Sequence, residues 1–133
     1  MRILVVDDSP VARIAIRGML ETAGFTVVEA GDGREGLRTF RRGGADVVLC
    51  DLFMPVCDGK EVMRQLRRDF PNVKIIAISG GSGDGKLNLL PRARHFGADE
   101  VLYKPFGASA LLTAIKQVLQ MPAWQADLAT AER

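Results

Sequence analysis

The chain has 133 residues, 47% apolar and 26% charged, enough for one domain with its own core and too few for two. Eighteen basic against sixteen acidic residues leave a net charge of +2, too little to imply nucleic acid or an anionic membrane as partner. No apolar run approaches the ~20 residues of a membrane span, and Asp7 and Asp8 interrupt the stretch where a signal peptide would stay apolar, so the expected location is the cytoplasm.

The first apolar run, Ile3 to Val6, predicts a strand that ends on Asp7 and Asp8. Ser9-Pro10 supplies a cap and a first-turn proline for a helix from about Val11 to Ala23. Val11, Ile14, Ala15, Met19 and Leu20 are expected on its inward face, and Gly24 ends it. Phe25 to Ala30 is a second strand. Gly31-Asp32-Gly33 turns it into a helix from about Arg34 to Arg42, closed by Gly43-Gly44. That turn follows the second strand and lacks the G-x-G-x-x-G pattern, so it is no nucleotide loop.

Val47 to Cys50 is apolar throughout, as a strand buried on both faces requires, and it ends on Asp51. After a Met-Pro break, Asp58-Gly59 caps a helix to about Asp69, stopped by Phe70-Pro71. Val73 to Ile78 is the fourth strand, ending on Ser79. The glycine-rich loop Gly80 to Gly85 precedes a helix from about Leu87 to Phe96. Glu100 to Tyr103 is a short fifth strand before Lys104-Pro105, and a last helix covers about Ala108 to Gln120.

Five alternations of strand and helix predict an α/β fold: one doubly wound parallel sheet, flavodoxin-like, with strand order 2-1-3-4-5 and five helices. Residues 1–120 form the domain. Residues 121–133, with Pro122 and Trp124, are a tail that is either a frayed terminus or a docking segment. Cys50 and Cys57 fit reduced thiols, with Cys50 filling core, better than a disulfide or a zinc site.

Open α/β sheets bind ligands outside the carboxyl ends of their strands. In this strand order those ends bring together Asp7, Asp8, Asp51, Ser79 and Lys104. Two carboxylates about 4 Å apart repel by about 4 kcal/mol at an effective dielectric of about 20. Either one is protonated or a cation holds them, and a small set of oxygen ligands with room for water favours Mg2+. A hydroxyl and a lysine beside such a cluster describe a phosphoryl site, and a carboxylate can itself be the nucleophile. Asp51 is the central acid and the best candidate.

Asp7-Asp8, the run from Asp51 through Met54-Pro55 to Asp58-Gly59, Ser79-Gly80 and Lys104-Pro105-Phe106 together resemble the receiver domain of two-component response regulators, over residues 2 to about 120. The resemblance implies that Asp51 accepts a phosphoryl group from a phosphohistidine on a sensor histidine kinase or histidine phosphotransfer protein. It implies direct Mg2+ ligation by Asp8, Asp51 and the backbone carbonyl of Phe53, with Asp7 acting mainly through water. Ser79 would hydrogen-bond the phosphoryl group, Lys104 would pair with it, and the Lys104-Pro105 peptide bond would be cis. Ser79 and Lys104 would then bias the face of the fourth helix, fifth strand and fifth helix.

Three positions depart from the family pattern. Val101 stands where a switch aromatic is usual, and Tyr103 alternates to the opposite side of the strand from Lys104. The segment from Ser79 to Lys104 is long and rich in glycine. Phe53 stands where many members have a polar side chain, and an apolar group there would slow water attack on a phosphoaspartate. His95, the only histidine, reads as exposed helix decoration. Arg34, Arg38, Arg41 and Arg42, and Arg64, Arg67 and Arg68, read as solvated faces.

The expected protein is thus a stand-alone receiver, although a piece of a longer regulator would read identically, not an enzyme beyond self-dephosphorylation, whose output goes through a protein partner or a phosphorelay. It would contact neither nucleic acid nor membrane directly, and whether the fifth helix pairs two copies stays open. Rival readings are a receiver-like scaffold working without phosphorylation and a Mg2+-dependent phosphohydrolase, although Asp7-Asp8-Ser9 lacks the D-x-D pattern of haloacid-dehalogenase-type sites. A flavin mononucleotide binder shares the fold class, but no phosphate-cradling loop follows the first strand.

Overall fold

A strand apolar at every position is stable only between two covering layers. In a computed structural model, which describes residues 1–54, 58–80 and 90–122, β3 (Val47–Asp51) is buried at every position and β4 (Lys74–Ser79) at all but the first. With β1 (Arg2–Val6), β2 (Thr26–Ala30) and β5 (Glu100–Tyr103) they form a parallel sheet in the order β2-β1-β3-β4-β5. The expected fold is therefore the observed one. The helices are α1 (Pro10–Thr22), α2 (Gly33–Gly43), α3 (Gly59–Asp69), α4 (Leu90–His95) and α5 (Ala108–Gln120).

Alternation along the strands divides the core in two. Ile3, Val5, Val47, Leu49, Ile76 and Ile78 face Ile16 and Leu20 of α1 and Leu111, Ile115 and Val118 of α5. Leu4, Val6, Val48, Cys50, Ile75 and Ala77 face Leu37 and Phe40 of α2 and Val62, Met63 and Leu66 of α3. Local chemistry starts the helices where the sequence placed them. Ser9 Oγ accepts from Ala12 N at 3.2 Å, Asp32 Oδ1 from Glu35 N at 2.8 Å and Asp58 Oδ1 from Lys60 N at 2.9 Å.

Two expectations need correction. Val11, Ile14 and Ala15 are not on the inward face of α1: Val11 and Ile14 are 77% and 69% exposed and Ala15 is exposed, while Leu20 is buried as expected and is joined by Ile16. Apolar residues occur on several faces of this helix, so their pattern alone leaves its rotation open. With Ile16 and Leu20 in the core, Arg13 and Arg17, one turn apart, both reach Glu29 on β2, with contacts of 3.2 and 2.6 Å, and Val11 and Ile14 face solvent. Arg67 is likewise not on a solvated face. Its guanidinium is buried, donating to Gly97 O, Pro71 O, Val73 O and Asp99 Oδ2 at 2.7–3.0 Å. Asp99 Oδ2 also accepts from Ile75 N at 2.8 Å, so the pair ties α3, β4 and the approach to β5 together. Gly97 permits this: its φ is +108°, and a Cβ there would sit 2.8 Å from the Cβ of Arg67.

α4 is described from Leu90 to His95, and the expected start near Leu87 falls outside the described residues. Residues 87–89, most of the glycine-rich loop, Cys57 and Trp124 lie outside the described residues. Among the described residues no helix is long and apolar enough to cross a membrane.

The rotation of α1 has a direct test in denaturant unfolding. Leu20→Ala should cost about 2–5 kcal/mol, and Ile14→Ala less than about 0.5 kcal/mol. Equal losses would contradict the assignment of its faces.

Candidate functional site

The acids converge because β1 and β3 are neighbours in register, Val6 beside Cys50. Both chains therefore leave the sheet at one level. One carboxylate oxygen from each of Asp7, Asp8 and Asp51 lies within 4.8 Å of the others. Asp7 is fully buried and Asp51 is 6% exposed, whereas Asp8 faces solvent.

Each buried carboxylate is held by donors. Asp7 Oδ1 accepts from Ser9 N at 2.9 Å, and Asp7 Oδ2 from Lys104 Nζ at 2.9 Å. Asp51 Oδ1 accepts from Phe53 N at 3.1 Å, and Lys104 Nζ stands 3.9 Å from Asp51 Oδ2. Lys104 is brought in by the backbone, since its N–H donates to Ser79 O at 2.8 Å at the end of the β4–β5 pairing. Ser79 is 3% exposed. All five side chains expected at the strand ends are thus on this edge of the sheet. The Lys104–Pro105 peptide bond is cis.

Gly59 closes the floor of the site. A Cβ there would overlap the carbonyl oxygen of Asp51, so the start of α3 lies directly against the backbone of the central acid. Phe53 is 58% exposed at the rim, with Lys60 Nζ 6.0 Å from its ring. Val101 is buried on the α2–α3 side. Tyr103, two residues on and paired in register with Ser79, is 42% exposed.

Sequence reasoning missed one supporting residue. Arg13 Nη1 donates to the backbone carbonyl of Asp7 at 2.6 Å while its Nε donates to Glu29 Oε1 at 3.2 Å. The only signal was a pair of arginines at i and i+4 on a helix whose neighbour strand carries a lone acid, a pattern common without such a role.

Burial pushes the Asp51 carboxyl above its ordinary range, helped by the charges of Asp7 and Asp8; the Phe53 N–H and Lys104 pull the other way. The net effect is an acid that is costly to ionise without a further cation. The donor set suits a hard divalent ion. Oxygens around an octahedral Mg2+ with bonds of about 2.1 Å lie about 3–4 Å apart, close to the spacing here, and exposed Asp8 leaves a water-accessible side. What the arrangement can do chemically is gather a cation and present one carboxylate, Asp51, beside a lysine and a hydroxyl.

A carboxyl whose folded pKa is raised binds its proton more tightly in the native state. Its contribution to stability therefore falls as pH rises from the unfolded value through the folded one, and is a constant cost above. In metal-free protein, Asp51→Asn should raise the unfolding free energy at pH 7, and the gain should vanish below the ordinary aspartate range. Denaturant unfolding at neutral and acid pH checks this, and a loss of stability at pH 7 would contradict it.

The sequence profile of the response regulator receiver domain matches residues 3–116. The chain is 35% identical over 120 residues to sensor kinase CckA of Brucella abortus, covering 89% of this chain and 12% of that protein. It is 35% identical over 120 residues to response regulator MprA of Mycobacterium leprae, covering 90% and 51%. The chain thus spans about half or less of the length of these two curated relatives. Among solved structures, chemotaxis protein CheY4 of Vibrio cholerae superposes with a TM-score of 0.78 at 30% identity, covering 88% of this chain and 97% of that one. Response regulator TrrA of Thermotoga maritima, solved with Mg2+ and BeF, gives 0.75 at 32%, covering 88% and 97%. The chain belongs to the response regulator receiver domain family of two-component signalling, whose members generally serve as phosphoacceptors rather than enzymes.

Proposed function

We propose that Asp51 is the phosphoacceptor of this chain, taking a phosphoryl group from a phosphohistidine on a sensor kinase or phosphotransfer protein. The observation that carries the reading is three strand-end carboxylates within 4.8 Å, with a lysine ammonium 3.9 Å from the central one. An Asp51 carboxylate oxygen attacks phosphorus in line, the P–N bond breaks, and its electron pair leaves on the donor imidazole, forming an acyl phosphate. Mg2+, when bound by Asp8, Asp51 and the Phe53 carbonyl and through water by Asp7, neutralises phosphoryl oxygens. Lys104, now on Asp7, needs only a short movement to pair with the new charge, and Ser79 offers its hydroxyl.

The apolar side chains exposed near the site support a protein donor rather than a small one: Val11 and Ile14 on α1, with Phe53 at the rim. Drawing Ser79 and Lys104 onto the phosphoryl group biases the face of α4, β5 and α5, through which an unidentified protein target would respond. With Val101 buried in the core, that coupling does not run through a rotating ring at this position. The working unit is residues 1–120, in the cytoplasm, with no turnover beyond its own dephosphorylation. Val101 also favours, as second reading, a scaffold that binds partners without phosphorylation.

Intact mass after incubation with acetyl phosphate and Mg2+ separates the two. One phosphoryl adduct should appear in wild type and disappear in Asp51→Ala or on chelation of the metal. Absence of an adduct while Mg2+ still binds would favour the scaffold. In the same assay Phe53→Asn should shorten the adduct's half-life several-fold, and an unchanged half-life would remove Phe53 as a shield.

A further inference from the structure

One side of the sheet is strongly basic. The helices that pack there carry four arginines on α2, three arginines and a lysine on α3 and two arginines on α4, against three acids in all. The whole chain is only +2, so the remainder is net negative. Such polarity does not serve the fold. Arg34, Arg38 and Arg42, spaced four apart along α2, repel one another. A field of this kind acts instead on what approaches the surface.

Within this layer, between α3 and α4, lies a cavity of about 60 Å³. Buried Leu52 and Ala93 line it together with the rings of Phe53 and Phe96, and Lys60 and Arg92 stand beside them nearer solvent. Lys60 Nζ is 6.0 Å from the centre of the Phe53 ring and 5.7 Å from that of Phe96. The Arg64 guanidinium carbon is 4.8 Å from the Phe96 ring centre. Arg64 reaches Glu61 at 3.7 Å, but among the described residues no carboxylate pairs with Lys60 or Arg92. An apolar hole is thus bordered by positive charge that the chain itself does not neutralise.

We propose that this cavity anchors an acidic segment of a partner protein. The segment inserts one branched aliphatic side chain beside Phe53 and Phe96, and its flanking carboxylates pair with Lys60, Arg64 and Arg92. Volume decides the anchor. The cavity equals roughly two waters' share of liquid, enough for a branched aliphatic tip and too little for a nucleobase. The ring faces on which a base would stack already carry cations. A lipid surface suits the site less, because membrane-bound proteins push apolar groups outward and this site is concave. An apolar anchor with charges at its rim is how protein interfaces combine affinity with steering. The surface lies on the α3 side of α4, apart from the face of α4, β5 and α5, and it stands independently of the phosphoryl chemistry.

NMR titration of the full chain with isovalerate, an isobutyl group bearing a carboxylate, reads the cavity directly. Resonances of Leu52, Ala93 and Phe96 should shift saturably, several-fold more weakly with isoamyl alcohol and not at all with isoamylamine. A synthetic peptide with one leucine among glutamates should shift the same residues at lower concentration, and added salt should weaken it. Lys60→Glu and Arg92→Glu, each checked for folding by circular dichroism, should weaken isovalerate and the peptide several-fold and leave the alcohol unchanged. No saturable shift at the cavity with isovalerate or the peptide would overturn the proposal. So would equal binding of acid, alcohol and amine, or a single-stranded oligonucleotide that shifts these residues at lower concentration than the peptide.

Discussion

Three carboxylates drawn to one edge of a parallel sheet are the constraint to which the rest of this molecule answers. Two of them are buried, and at an effective dielectric of about 20 each close pair costs about 4 kcal/mol. The strands put them there because β1 and β3 are adjacent and leave the sheet at the same level. What makes the arrangement tolerable is a set of fixed donors: Lys104 Nζ and Ser9 N on Asp7, and Phe53 N on Asp51. The repulsion left over gives the site an appetite for a cation, and an oxygen set of this kind takes a hard one.

Holding that edge in place falls to groups remote from it. The acidic loop is braced from α1, where Arg13 holds the Asp7 carbonyl and is itself held by Glu29 of β2. The far end of the sheet is tied by Arg67, whose guanidinium reaches three carbonyls and Asp99. Breaking a buried pair of this kind strands a charge, so it fixes α3 against the approach to β5. The proposed movement of Ser79 and Lys104 would then take place against a fixed base. Val101 fills the core beside β4 with a branched side chain, and Tyr103 is the aromatic that stands beside Ser79 on the strand edge.

Much of this was legible in the sequence, for identifiable reasons. Val47 to Cys50 could only be a central strand, because nothing along it tolerates water. Asp58-Gly59 and Ser9-Pro10 announce helix starts by local hydrogen bonding. Strand order followed from right-handed crossovers and the need to cover both faces, and that order alone brought the five polar strand ends together. The rotation of α1 was not legible. Val11, Ile14, Ile16 and Leu20 spread around the helix, and the face that packs also lets Arg13 and Arg17 reach Glu29, a contact no local pattern encodes. Arg67 was read as solvated because charge defaults to the surface. Its burial depends on carbonyls from two loops and on Asp99, 32 residues away.

Asp51 is a desolvated carboxyl crowded by like charge, and a divalent cation is proposed to complete its site. Carbon-13 NMR titration of the Asp51 carboxyl, with and without Mg2+, tests it most directly. The metal-free pKa should lie above the ordinary aspartate range and drop when Mg2+ is added, with Asp8→Ala removing most of the drop. An ordinary pKa that ignores Mg2+ would contradict it.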